Sequence, residues 1–171
     1  MSPKITSVID QIRNFEKIVG LLESRILQLE KRIENLVNVE RNHLIRIKNG
    51  EEITDDFIQN GRSYLDLSPD KAWRLYGNPD FDFILIDVSG QDFQISRLPE
   101  AIHIPWENFA ERFMEIKSRT IPILIISEDG THSVLACEFL VKHGFFNCNN
   151  ISGGYRSWIG LKLEEIRGQS A

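Results

Sequence analysis

The chain has 171 residues; 20 are Lys or Arg and 25 are Asp or Glu, a formal net charge of −5, with 42% apolar and 26% charged residues. These values exclude collagen-like, disulfide-dense and low-complexity classes and leave room for one domain of common size plus an extension. The charge is split: residues 1–50 hold 9 basic and 6 acidic side chains (+3), and residues 51–171 hold 11 and 19 (−8). An acidic remainder lacks the basic footprint of a nucleic-acid-binding domain, so no nucleic-acid partner is expected. Cys137 and Cys148 are too few for a disulfide scaffold and form no CxxC metal pair. No apolar run nears the roughly 20 residues that span a bilayer. Nothing after Lys4 reads as a signal core, so a cytoplasmic protein without membrane contact is expected.

In the first segment, apolar residues fall at Ile5, Val8, Ile12, Phe15, Val19, Leu22, Ile26, Leu29, Ile33 and Leu36, alternating three and four apart without a slip. With Ile5 at position a, this strict heptad pattern predicts a coiled-coil oligomerisation helix over 1–50. β-Branched residues at a with mostly Leu at d favour a parallel two-stranded coil, roughly 48 Å long at about 1.5 Å per residue. Glu16, Glu23 and Glu30 occupy e, and Arg25 and Arg32 occupy g, so Arg25 faces Glu30 of a parallel partner. Ile9, Ile18, Leu21 and Leu27 widen the apolar face. They leave room for a higher oligomer, or for a helix folded back on its own domain. Gly20, at an exposed b position, costs about 1 kcal/mol of helix propensity.

After Leu36 the pattern breaks. Glu40 and His43 take the a and d slots, while Val37, Leu44 and Ile47 continue an apolar stripe displaced by one residue. That reads either as a stutter or as a helix passing from self-pairing to other contacts. His43 has only Glu40 as a ligand-type neighbour at i±3 or i±4, and no metal is expected. Asn49-Gly50 is a helix stop.

Residues 51–64 read as a linker carrying a short helix, capped by Thr54 and ended by Asn60-Gly61. Ser68-Pro69 is an N-cap followed by Pro at N1, predicting a helix over 69–77. Short apolar runs at 83–87, 101–104 and 121–126, with a further strand at 148–151, then alternate with helical stretches at 106–116 and 133–143. Gly153-Gly154 opens a last helix to about 160, and 163–171 is a tail. This alternation predicts an α/β domain with a parallel sheet flanked by helices, residues 121–126 being the central strand.

Four landmarks in order resemble the rhodanese-like domain, the fold of sulfurtransferases and of a group of phosphatases. They are Leu85-Ile86-Asp87-Val88, the segment Leu98-Pro99-Glu100-Ala101-Ile102-His103-Ile104-Pro105, the strand Ile123-Leu124-Ile125-Ile126, and Ile151-Ser152-Gly153-Gly154-Tyr155-Arg156-Ser157-Trp158. The resemblance covers about 65–162. It implies that the loop after the central strand is the family's active-site loop, where backbone N–H groups and a helix N-terminus surround a cysteine thiolate.

Here that loop is Ser127-Glu128-Asp129-Gly130-Thr131-His132, with Ser133 opening the helix. Its six-residue length fits the family's sulfurtransferases, but Ser127 stands at the cysteine position. A serine hydroxyl is hardly ionised at neutral pH and cannot store sulfane sulfur as a persulfide. Glu128 and Asp129 put negative charge where an anionic substrate would sit, and His132 stands at the usual arginine position. One like charge at 4 Å costs about 4 kcal/mol at an effective dielectric of about 20. Arg97-Leu98 replaces the family's His-Ile. Asp87 is expected to satisfy buried backbone groups and, with Arg97, to line the rim. Cys137 and Cys148 read as buried core residues. Trp73, Trp106 and Trp158 read as packing. A triad of Ser127, His132 and Asp129 is disfavoured, because triads assemble from distant segments.

The expectation is therefore a catalytically inactive rhodanese-like binding or scaffold module, needing no cofactor and made a homodimer by the coil. Its acidic loop would suit a protein or peptide with a basic segment. The alternative is a sulfurtransferase or phosphatase-like enzyme with an atypical Ser127 loop.

Overall fold

The structure, a computed structural model, describes residues 3–93 and 97–158, with side chains from residue 8 onward. Ile5 of the seam, the end of the last expected helix at 159–160 and the 163–171 tail lie outside the described side chains or residues. Chain contacts divide the protein into two units, Met1–Val37 and Asn38–Ala171.

α1 (Pro3–Lys48) is one uninterrupted helix, as the heptad pattern predicts. Within α1 no proline follows Pro3, and Gly20 faces open space, so nothing breaks the helical hydrogen bonding. In the first unit, every seam residue from Val8 to Leu36 is exposed.

The second unit begins within α1, at Asn38. Its last turns bury a polar face: Asn38, Asn42, His43 and Arg46 are inside, while Val37, Leu44 and Ile47 stay exposed. Polar groups bury without penalty only when they are bonded, and Asn42, His43 and Arg46 find partners beyond the helix. Asn42 Nδ2 donates to the Ser63 carbonyl (2.8 Å), and Asn42 Oδ1 accepts the Asn147 N–H (2.7 Å). Arg46 donates to Glu51 (2.7 Å), to Asn149 Oδ1 (3.0 Å) and to the Cys148 carbonyl. Its guanidinium lies 5.4 Å from the centre of the Phe57 ring.

Phe57 belongs to α2 (Asp55–Gln59), whose N-cap Thr54 accepts the Phe57 N–H through Oγ1 (3.3 Å). The stretch 51–64 carries the short helix expected there. It supplies Glu51, Phe57, Arg62 and Ser63 to the groups buried by α1.

Five parallel strands follow: β1 (Leu65–Leu67), β2 (Ile84–Asp87), β3 (Ile102–His103), β4 (Ile123–Ile126) and β5 (Cys148–Ile151), in the order β1-β5-β4-β2-β3. α3 (Pro69–Tyr76) follows β1, its N-cap Ser68 accepting the Lys71 N–H. β1, which was not expected as a strand, pairs along the outer edge of β5. β4 is buried throughout, as a central parallel strand must be. Its alternation feeds two cores. Ile123 and Ile125 join Ile86, Phe109, Cys137 and Leu140 on one face; Leu124 and Ile126 join Leu85, Tyr155 and Trp158 on the other.

The helix expected over 106–116 is instead three short pieces: a 3₁₀ turn (Trp106–Asn108), α4 (Phe109–Arg112) and a second 3₁₀ turn (Phe113–Glu115). Asn108 leaves helical geometry, at φ −108° and ψ 3°. α5 (Thr131–Lys142) packs against β4 and β5, and a last helix begins at Gly154.

Candidate functional site

Pairing sets Asp87 beside Ile126 and Leu67 beside Ile151, so the segments leaving β1, β2, β4 and β5 gather at one end of the sheet. Ser127 is the first residue past β4 and is fully buried. Gly130, at φ +93°, turns the chain into α5.

The loop closes around the Ser127 hydroxyl. Ser127 Oγ accepts the N–H groups of Gly130 (3.1 Å) and Ser133 (3.3 Å) and lies 3.2 Å from Ser133 Oγ. Ser133 Oγ stands 2.6 Å from Asn150 Oδ1, to which it donates, so the Ser127 proton is directed at Ser133 Oγ. Asn150 Nδ2 in turn donates to Asp66, its neighbour across the β1–β5 pair. The N–H groups that would surround a thiolate here solvate a neutral, satisfied hydroxyl.

The acidic side chains do not point inward together. Glu128 Oε1 accepts the Gly90 N–H (2.7 Å), tying the loop to the segment after β2. Its Oε2 lies 3.6 Å from His132 Nδ1, and the His132 ring stacks on Trp106 with centres 5.8 Å apart. Asp129 is exposed; its Oδ1 accepts the Thr131 N–H (3.0 Å), which holds the carboxyl below the usual carboxylate range. Among the described residues no hydrogen bond joins Ser127 to His132 or Asp129. His132 is oriented by Trp106 and Glu128.

The two rim residues meet. Asp87, fully buried at the end of β2, accepts the Ser89 N–H (2.9 Å) and the Tyr155 hydroxyl (3.0 Å), and Arg97 Nε lies 3.2 Å from the same carboxylate. Tyr155 also accepts the Leu98 N–H (3.2 Å); burial pushes its phenol well above the ordinary range. His103 Nε2 lies 3.0 Å from the Ser89 carbonyl and 3.3 Å from Arg97. Tyr155 was quoted in the sequence only as part of a glycine motif. Its bridging role, like that of Ser133 and Asn150, depends on chain segments that the sequence does not bring together.

The outer edge is pinned by the last helix. The N–H groups of Tyr155 and Arg156 donate to the carbonyls of Ser127 (2.8 Å) and Glu128 (3.0 Å). Gly154, at φ +55°, lies where any Cβ would collide with the Ser127 carbonyl. Beside the loop is an open groove of about 440 Å³, lined by Asp66, Asp129, Gly130, Val134, Asn150 and Ser152 among others.

Cys137 and Cys148 are unpaired and fully buried, and burial raises both thiols, Cys148 to about 12. Neither supplies a thiolate to the loop. Trp158 is buried against Trp73 and Tyr76, whereas Trp106 is half-buried beside the loop. His43 Nε2 contacts the Arg62 carbonyl at 3.1 Å. Among the described residues no three His, Cys, Asp or Glu side chains gather as a metal site, and no helix is long and apolar enough to cross a membrane.

A family model described as the rhodanese-like domain matches residues 68–161. The thiosulfate sulfurtransferase GlpE of Actinobacillus pleuropneumoniae serotype 3 is 29% identical over 105 residues, covering 60% of this chain and 94% of that protein. An adenylyltransferase and sulfurtransferase of Meyerozyma guilliermondii is 29% identical over 85 residues, 45% of this chain and 20% of that protein. Among solved structures, a rhodanese-like domain protein of Staphylococcus aureus superposes with a TM-score of 0.50 at 18% identity, covering 55% of this chain and 90% of the other.

Proposed function

Because this chain belongs to the rhodanese-like domain family, we propose that it has kept the family's loop as a binding surface and given up sulfur transfer. It would work as a homodimeric binding or scaffold module joined through α1. The observation that carries the reading is Ser127 at the centre of the N–H ring, its hydroxyl already bonded to Gly130, Ser133 and the Ser133 side chain. Sulfur transfer requires a thiolate that accepts sulfane sulfur and holds it as a persulfide. The relatives named as thiosulfate sulfurtransferases set the alternative: an enzyme retaining that activity on an unusual loop.

The occupant best suited to the loop is a basic segment of another protein. Asp129 is exposed and stays ionised, and Glu128 adds a second carboxylate at the same mouth. Dimerisation presents two such mouths and raises avidity for a repeated or dimeric target. A thiosulfate:cyanide assay on the purified protein, expected to show no turnover, separates the two readings; robust turnover overturns the binding-module reading. A pull-down with intact protein and with Glu128→Ala/Asp129→Ala tests the mouth, which is expected to lose its partner in the double variant. Sedimentation equilibrium on wild type and Leu22→Asp/Leu29→Asp tests the coil: a dimer is expected for the first and a monomer for the second.

A further inference from the structure

We infer that α1 pairs with α1 of a second copy of this chain beyond the heptads ending at Leu36, through Val37, Leu44 and Ile47. The inference rests on the proposed parallel coil and lengthens it into the turns that also anchor the globular unit. A strict seven-residue repeat slips by about 20° per heptad on a straight helix, so the stripe from Val8 to Leu36 drifts round the surface. Two successive four-residue steps, Leu29 to Ile33 to Val37, set it back, and the alternation of three and four resumes through Glu40, Leu44 and Ile47. Such an insertion is a stutter, which coiled coils absorb by local unwinding.

The same turns therefore carry two faces with different fates. Asn38, Asn42 and Arg46 lie on one and are bonded inside their own chain. Val37, Leu44 and Ile47 lie on the other and are 40%, 64% and 54% exposed, although all three are large and apolar. Charge identifies a second copy as the occupant. Glu40 falls in a core slot, and the hole that receives a core side chain includes the flanking residue of the facing helix. In a parallel pair that residue is Arg41 of the second copy, which offsets the repulsion between Glu40 and its own counterpart in the same layer; both Glu40 and Arg41 are exposed. Upstream, the same alignment sets Arg25 against Glu30. An antiparallel pair would set the e-position glutamates Glu16, Glu23 and Glu30 against one another.

Cross-linking of the full chain tests this. Leu22→Cys and Leu44→Cys are each oxidised with oxidised glutathione and run without reductant. The native cysteines are buried, so wild type is the silent control. Both variants are expected to form covalent dimers. Linking at residue 22 without linking at 44 overturns the extension and leaves the coil standing. No linking in either, with a monomeric wild type by sedimentation, removes the coil itself. No linking in either, with a dimeric wild type, overturns the parallel alignment and the extension with it. Independently, Leu44→Asp/Ile47→Asp is expected to weaken dimerisation at least tenfold; an unchanged dissociation constant overturns the extension. Both positions are exposed within one chain, so the double variant leaves the globular unit's own contacts in place.

Discussion

The backbone N–H of Ser133 points at the hydroxyl oxygen of Ser127 from 3.3 Å, across the six-residue loop that joins β4 to α5. With the Gly130 N–H at 3.1 Å it closes two backbone donors on an alcohol oxygen.

Restoring sulfur at that atom tests how much of the cradle survives. In Ser127→Cys the thiol would sit beside the N–H groups of Gly130 and Ser133, which favour the thiolate. The variant's thiol should titrate below the ordinary range of about 8.5, followed by the ultraviolet absorbance of the thiolate, which needs no reagent to reach the buried loop. Its thiosulfate turnover should stay low and rise when Glu128→Gln and Asp129→Asn are added, because like charge at the mouth opposes an anionic substrate. A thiol titrating at or above the ordinary range would show that the cradle does not stabilise an anion.

Tyr155→Phe removes one hydroxyl that serves two buried groups, the Asp87 carboxylate and the Leu98 N–H. Leaving a buried donor and a charged acceptor short of a partner costs about 1–3 kcal/mol. The expected result is a lowered urea midpoint at unchanged slope.

Arg46 is fully buried, with Glu51, Asn149 and the Cys148 carbonyl as its partners. Arg46→Met should destabilise the globular unit by about 3–5 kcal/mol, because it strands the groups that the guanidinium satisfies. Arg46→Lys should recover only part of this, since an ammonium lacks the fork that reaches several acceptors at once. Equilibrium unfolding of the three proteins checks the order.

Stability should fall on the alkaline side. Burial raises the thiols of Cys137 and Cys148 and the phenol of Tyr155, Cys148 to about 12 from its ordinary 9.0. Above pH 9 the unfolded chain releases these protons while the folded chain keeps them. The folded state then binds more protons, so stability present below pH 9 is lost as pH rises toward 12. Urea midpoints measured from pH 7 to 11 should decline, and the decline should be shallower in Cys148→Ala. A flat profile would contradict the burial of these groups.

The parts legible in the sequence were those set by short-range pattern. Period 3.5 without a breaker specified one long helix. Ser68-Pro69 specified the start of α3, and the apolar run 123–126 specified a buried central strand. Four landmarks at compatible spacing specified the fold family and located the loop with Ser127 in place of cysteine. The polar face of α1 was not legible. Nothing in the local pattern marks Asn42 and Arg46 as buried, because partners such as Ser63 and residues 147–149 are distant in sequence. Nor does it mark Phe57, which lies against His43 and Arg46.

The sequence by itself determined the helix, the sheet and the identity of the atom at the loop's centre, because each is written in local periodicity or in a single residue. Only the tertiary structure decided what surrounds that atom. Chain folding brings Ser133, Asn150 and Asp66 into one chain of hydrogen bonds, sends Glu128 to Gly90 and stacks His132 on Trp106. It also decided which face of α1 enters the globular unit. Hydrogen-bond partners for buried polar groups come from remote strands, so no local pattern of hydrophobicity announces them.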